Sequence, residues 1–288
     1  MKSLSLGYSP CPNDTFIFYA MMHGKINTDG LSFTEELLDV ETLNRKALLR
    51  ELDITKVSCH AFGRLRDTYS LLRSGSALGR GCGPLLIAKS NFTVEELINK
   101  RIAVPGQLTT AYLLLQLYYS GIRDQGSAVR TQLSNLIPMR FDTIVQAVAH
   151  DEVDAGLIIH ESRFTYQSSG LKQIIDLGEW WESQTGLPIP LGGIIAKQSL
   201  GIDLIKKIDT IVKQSVEYAF RNRPEPMNYI KQHSQELSDD VIQQHINLYV
   251  NDFSIDVGEE GEKAITELLS RAEDAGVIAE SDRPVFQH

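Results

Sequence analysis

Polarity alternates along residues 3–8, which predicts a first strand. The following Ser9-Pro-Cys-Pro-Asn-Asp14 is turn-forming, because both prolines fix φ and lack a donor. Asn13 or Asp14 is placed to cap a helix running to about His23, and Gly24 ends it. Phe16, Tyr19, Ala20 and His23 share one face of that helix. Val40, Leu43, Ala47 and Leu48 mark a second amphipathic helix, which leads into a strand within Asp53–Ser58.

Apolar runs predict further strands within residues 81–89, 101–106 and 137–141. Thr93 and Glu96 form a capping-box pair at the start of a short helix. A strong helix is expected from about Thr109 to Tyr119, and Asp142 is placed to cap another ending near Ala149. From about residue 203 the chain reads as mainly helical, with Leu204, Ile208, Ile211, Val212 and Val216 as one stripe. Pro224 and Pro226 break it, Ser238 caps the next helix, and Gly258 to Ala275 is the last. The tail after Gly276 is expected to be weakly structured.

One segment stands apart. Gly156 to Ile159 reads as a buried strand that stops at His160 beside Glu161. Ligands of open α/β sheets sit outside the carboxyl ends of strands, where a histidine can move a proton near neutral pH. The same residue would serve equally as a hydrogen-bonded group at the edge of a core. If the strand continues, Glu161 points to the opposite face and does not orient His160.

Two internal echoes give the chain its organisation. Arg50 to His60 resembles His150 to Glu161, and aligning Asp53 with Asp154 sets Cys59 opposite His160. Gly83 to Ser90 resembles Gly192 to Ser199. These matches predict two similar α/β lobes, residues 1–90 plus 197–288 and residues 91–196, with the second pair as strands that cross between them. Two strand ends then face each other across a cleft suited to a ligand.

Composition narrows the classes. The chain has 288 residues, 42% hydrophobic and 23% charged, as in an ordinary globular protein of two lobes. A net charge of −9 argues against nucleic acid and anionic membranes as partners, but not against a small anionic ligand bound locally. No apolar run is long enough to span a bilayer, and the amino terminus lacks a signal-peptide core, so a cytoplasmic protein is expected. Cys11, Cys59 and Cys82 show no paired spacing, so no disulfide framework is expected. Composition leaves the oligomeric state open.

The remaining candidates are few. Thr109, Thr110 and Ala111 open a helix, and their N–H groups and two hydroxyls suit a carboxylate or hydroxyl ligand, or one threonine is a simple cap. Ser58 and Cys59 end the strand equivalent to the one carrying His160. Cys11 lies between prolines near a helix amino terminus, where a depressed pKa would make it a nucleophile; a small buried residue is the plainer reading. No spacing suits a metal, a phosphate loop or a dinucleotide. Trp180 and Trp181, with Gly186-Leu-Pro-Ile-Pro-Leu-Gly-Gly193, read as a rigid connection between lobes rather than a cleft wall.

Ser9-Pro-Cys-Pro-Asn-Asp-Thr-Phe16, Pro105-Gly-Gln-Leu-Thr-Thr-Ala-Tyr112 and Glu152 to Glu161 resemble the 1,4-dihydroxy-6-naphthoate synthases of the futalosine route to menaquinone. Gly79-Arg-Gly-Cys-Gly-Pro-Leu85 and Leu187 to Gly193 fit as well, so the resemblance runs to about residue 200. It implies a type-II periplasmic-binding-protein-like fold with the ligand cleft between lobes. It implies conversion of cyclic dehypoxanthinyl futalosine to 1,4-dihydroxy-6-naphthoate with release of dihydroxyacetone, with no cofactor or metal. The family's histidine base falls on His160. Its substrate contacts fall on Lys56, Val57 and Ser58 and on Thr110 and Ala111, with Thr109 adjacent. Apart from the resemblance, Asn13 and the backbone N–H groups of the Ser9–Asp14 loop are candidate donors to the substrate. Where the family often has glycine, this chain has Asp151, and the stretch from Arg123 to Thr131 is longer than in some relatives. A small-molecule-binding or sensor module on the same fold would use the same cleft without a base.

Overall fold

The computed structural model describes residues 2–123, 135–234 and 238–286. Most of the stretch read as longer than in relatives therefore lies outside the described residues. In chain order the strands are β1 (Lys2–Tyr8), β2 (Leu31–Leu37), β3 (Ile54–Ser58), β4 (Tyr69–Leu71), β5 (Ala77–Gly79), β6 (Leu85–Ala88), β7 (Ile102–Val104), β8 (Leu136–Pro138), β9 (Ala155–Ile158), β10 (Lys172–Asp176) and β11 (Ile189–Lys197). They form two mixed sheets. One runs β2-β1-β3-β11-β4, with β5 also on β11, and the other runs β10-β6-β9-β7-β8. All residues of β3 and β9 are buried, as expected of central strands covered on both faces.

The two echoes have a structural cause. β6 lies antiparallel to β9, pairing Leu85 with Ile158, and β11 lies antiparallel to β3, pairing Gly192 with Ser58. Each echo strand thus flanks the strand whose end carries candidate residues. Asp53 and Asp154 also play matching parts. Asp53 accepts from the Ser5 N–H at 3.0 Å, and Asp154 from the Arg101 N–H at 2.8 Å, each tying the amino end of its own strand, β3 or β9, to the parallel neighbour.

The expected lobe limits, 90/91 and 196/197, differ from the sheet membership. β6 belongs to the second sheet and β11 to the first, so the chain changes sheets before each of these strands. Both are needed where they are, because each supplies the antiparallel partner of a central strand.

Local details also differ from the sequence reading. Cys11 takes the N-cap position of the Pro12–Met22 helix, and no side chain caps it. Pro12 tolerates the first turn because its missing N–H is not needed there. Asp14 instead accepts from the backbone N–H and hydroxyl of Ser9, closing the loop on itself. Asp142 pairs with Arg140 at 2.9 Å rather than capping. The tail is packed: Ile278, Val285 and Phe286 are buried, and Arg73 lies 5.0 Å over the Phe286 ring. Asp151 has φ of 62°, a left-handed turn where glycine is free and an L side chain is strained. Among the described residues, no helix is long and apolar enough to cross a membrane.

Candidate active site

The two sheets meet at a cleft lined by residues of both, a usual place for a small-molecule site. Asn13, Lys56, Val57, Ser58, Thr109, Thr110, Ala111 and His160 all line it. So do Asp14, Leu191, Gly192 and Tyr249. Every sequence-derived candidate contact therefore faces one space, although they come from four separated stretches of chain.

Lys56 and Asp14 form the charged floor. Lys56 Nζ lies 3.2 Å from Asp14 Oδ1 and donates to the Gly75 carbonyl at 2.8 Å, with both side chains buried. Ser58 is held by Asn44, which donates to its hydroxyl at 3.2 Å and accepts from its N–H at 2.9 Å. Asn44 is fully buried and was not singled out by the sequence.

On the opposite wall the two threonine hydroxyls are already engaged. Thr109 Oγ1 donates to the Gly106 carbonyl and accepts from the Tyr112 N–H, which is ordinary capping. Thr110 Oγ1 donates to the Leu191 carbonyl at 2.5 Å and accepts from the His60 N–H at 3.4 Å, stitching the two halves together. What the helix start offers a ligand is chiefly its first-turn N–H groups, at the positive end of the helix.

His160 sits just beyond β9 with φ of 56°. A non-glycine residue in this region is strained by roughly 1–3 kcal/mol, a cost usually kept only where position matters. The left-handed turn also breaks strand alternation, so Glu161 does not point away. Cys11, His160 and Glu161 instead bring ligand atoms within 4.8 Å of one another. Phe141 meets the His160 ring edge-on at 5.0 Å, and His245 lies nearly parallel to it at 6.1 Å. Burial pushes the His160 pKa down to about 4, outweighing the raising effect of Asp14, with Lys56 lowering it further. The imidazole is therefore neutral, with a free lone pair, at neutral pH.

His245, from the Asp239–Tyr249 helix, is a second residue, after Asn44, that the sequence does not single out. It is fully buried, and its Nε2 lies 3.0 Å from Asn13 Oδ1. Ile242, His245, Ile246 and Tyr249 follow 3–4 spacing, so a histidine on the apolar face was the available signal. Burial, then the nearby His160, hold its pKa well below the usual range.

Cys11 is not placed as a nucleophile. Burial first, and then the Glu161 carboxylate, push its thiol well above the usual range, against the helix effect expected from sequence. Cys59 and Trp181 are buried in the protein and do not line the cleft; the Trp181 Nε1–H donates to the Pro188 carbonyl at 3.0 Å.

The family described as menaquinone biosynthesis matches residues 4–274. This chain belongs to the menaquinone-biosynthesis family. Among its relatives, a Thermus thermophilus protein named 1,4-dihydroxy-6-naphthoate synthase is 50% identical over 99% of this chain and 100% of that one. A crystal structure from Archaeoglobus fulgidus superposes on this family member with a TM-score of 0.86 at 38% identity, covering 96% of this chain and 98% of that one. A Candida albicans protein described as having the generic periplasmic-binding-protein fold gives a TM-score of 0.70 at 18% identity, covering 99% and 94%. The likeness establishes a periplasmic-binding-protein-like fold for this member of the family.

Proposed function

We propose that the protein is a carbon–carbon lyase that converts cyclic dehypoxanthinyl futalosine to 1,4-dihydroxy-6-naphthoate and dihydroxyacetone. The observation that carries this reading is His160: a half-buried, neutral imidazole held in a strained turn at a strand end, lining the cleft. The relative's name supplies the product, and family membership supplies the pathway.

In this reading the carboxylate of the substrate is held by the first-turn N–H groups of Thr110 and Ala111 and by Ser58, where a helix start favours an anion. His160 removes a proton from the sugar-derived part of the substrate. Negative charge then develops on oxygen, and Lys56 with the helix-start donors stabilises it. The carbon–carbon bond breaks, the three-carbon fragment leaves, and the ring electrons settle into the aromatic naphthoate. Product and fragment together contain every atom of the substrate, so no external oxidant or reductant is required. The Thr110–Leu191 bond across the cleft helps hold the two halves together around the substrate and keep water out.

The test is incubation of purified protein with cyclic dehypoxanthinyl futalosine, followed by mass spectrometry. The naphthoate and dihydroxyacetone should appear in equal amounts. Substrate that binds but stays intact would overturn the enzymatic reading and favour a binding module.

A further inference from the structure

Asn13 fixes the protonation pattern of the buried polar group beside the cleft. Its Nδ2 donates to Asp14 Oδ1 at 2.9 Å, and a carboxylate in an ion pair only accepts, so Asn13 Oδ1 faces His245. His245 Nε2 must then carry the proton, and Nδ1 is left as a lone pair. That Nδ1 is fully buried, has no hydrogen-bond partner among the described residues, and lies 3.7 Å from Glu161 Oε2. This is too long for a hydrogen bond but close to the spacing of about 3.5 Å between neighbouring ligands on a tetrahedral zinc ion. Cys11, His160 and Glu161 bring ligand atoms within 4.8 Å of one another, and Glu161 links His245 to that group. The Asn13 carbonyl also stands where a metal-binding histidine usually finds the acceptor for its other ring N–H.

We propose that Cys11, His160, Glu161 and Nδ1 of His245 form a site for one zinc-type divalent ion, which inhibits the enzyme. The ligand set is sulfur, nitrogen and oxygen, which suits zinc or cobalt rather than magnesium or calcium. On binding, the Cys11 thiol releases its proton to solvent, and a metal–sulfur bond forms. The ion also takes the His160 lone pair, so occupancy and proton abstraction exclude each other. Only this inhibitory consequence rests on the reaction proposed above.

The experiment titrates chelator-treated full-length protein with Co²⁺ and records its spectrum. One ion per chain should bind, with a thiolate-to-cobalt charge-transfer band in the near ultraviolet that Zn²⁺ abolishes. Cys11→Ser should lose the band, and His245→Gln should weaken binding by at least about tenfold. Circular dichroism checks that both variants fold. Zn²⁺ should also slow turnover of the wild type, with recovery on adding chelator. Absence of one-to-one binding, a cobalt spectrum without a thiolate band, or a band that survives Cys11→Ser in a folded protein would overturn the site. If no turnover exists at all, the functional reading fails, while the cobalt titration still decides the metal site.

Discussion

Lys56 Nζ and Asp14 Oδ1 lie 3.2 Å apart under the cleft, and the two side chains are only 6% and 3% exposed. The pair joins β3 to the loop-helix junction that also carries Asn13. Removing one partner leaves the other charge buried. Lys56→Met should therefore cost about 3–5 kcal/mol of stability, read by denaturant unfolding. Asp14→Asn in the Lys56→Met background should recover part of that loss, because it removes the stranded charge. A loss below about 1 kcal/mol for Lys56→Met would mean that solvent screens the pair after all.

Thr110 is the second link between the halves. Thr110→Val keeps the shape but leaves the Leu191 carbonyl and the His60 N–H without their partner. The expected cost is about 1–3 kcal/mol, seen as a lower melting temperature. The Michaelis constant should rise, because the same residue begins the helix proposed to hold the carboxylate. A variant with unchanged melting and unchanged Michaelis constant would show that this bond is dispensable.

Much of this site is legible in the chain because its parts are local. Ser9–Asp14, Lys56–Ser58, Thr109–Ala111 and His160 each sit at the end of a short strand or the start of a helix, and such junctions leave marks in sequence. The echo of residues 50–60 in 150–161 even reports the shared role of Asp53 and Asp154. What stayed hidden depends on long-range packing. His245 reaches Asn13 from 232 positions away, and only folding brings it there. Glu161 falls on the opposite face only if the strand continues; the strand ends at Ile158 and His160 turns left-handed, which no local pattern marks. The tail reads as loose because its apolar residues are sparse, yet Val285 and Phe286 have a surface to cover.

His60 makes the fold acid-sensitive. Burial first, and then Arg64, push its pKa down to about 4, against a smaller raising effect of its bond to the Thr109 carbonyl. The unfolded chain takes up this proton near pH 6.5, while the folded chain resists to about 4. The stabilising contribution is thus complete above pH 6.5 and is lost as pH falls through that interval, by up to about 3 kcal/mol. His60→Gln should make the acid side of the stability curve measured by denaturant unfolding shallower, with the remaining slope carried by His160 and His245, which burial also depresses. An unchanged slope between pH 6.5 and 4 would assign the sensitivity to other groups.

The central claim is that His160 takes the proton. The most direct measurement compares His160→Asn with the wild type in single-turnover conversion of cyclic dehypoxanthinyl futalosine, alongside equilibrium binding of the same compound. Conversion should fall by about a hundred- to ten-thousand-fold, the usual worth of a general base, while binding changes only a few-fold. Conversion at close to the wild-type rate would contradict the assignment and leave the base to be found elsewhere in the cleft.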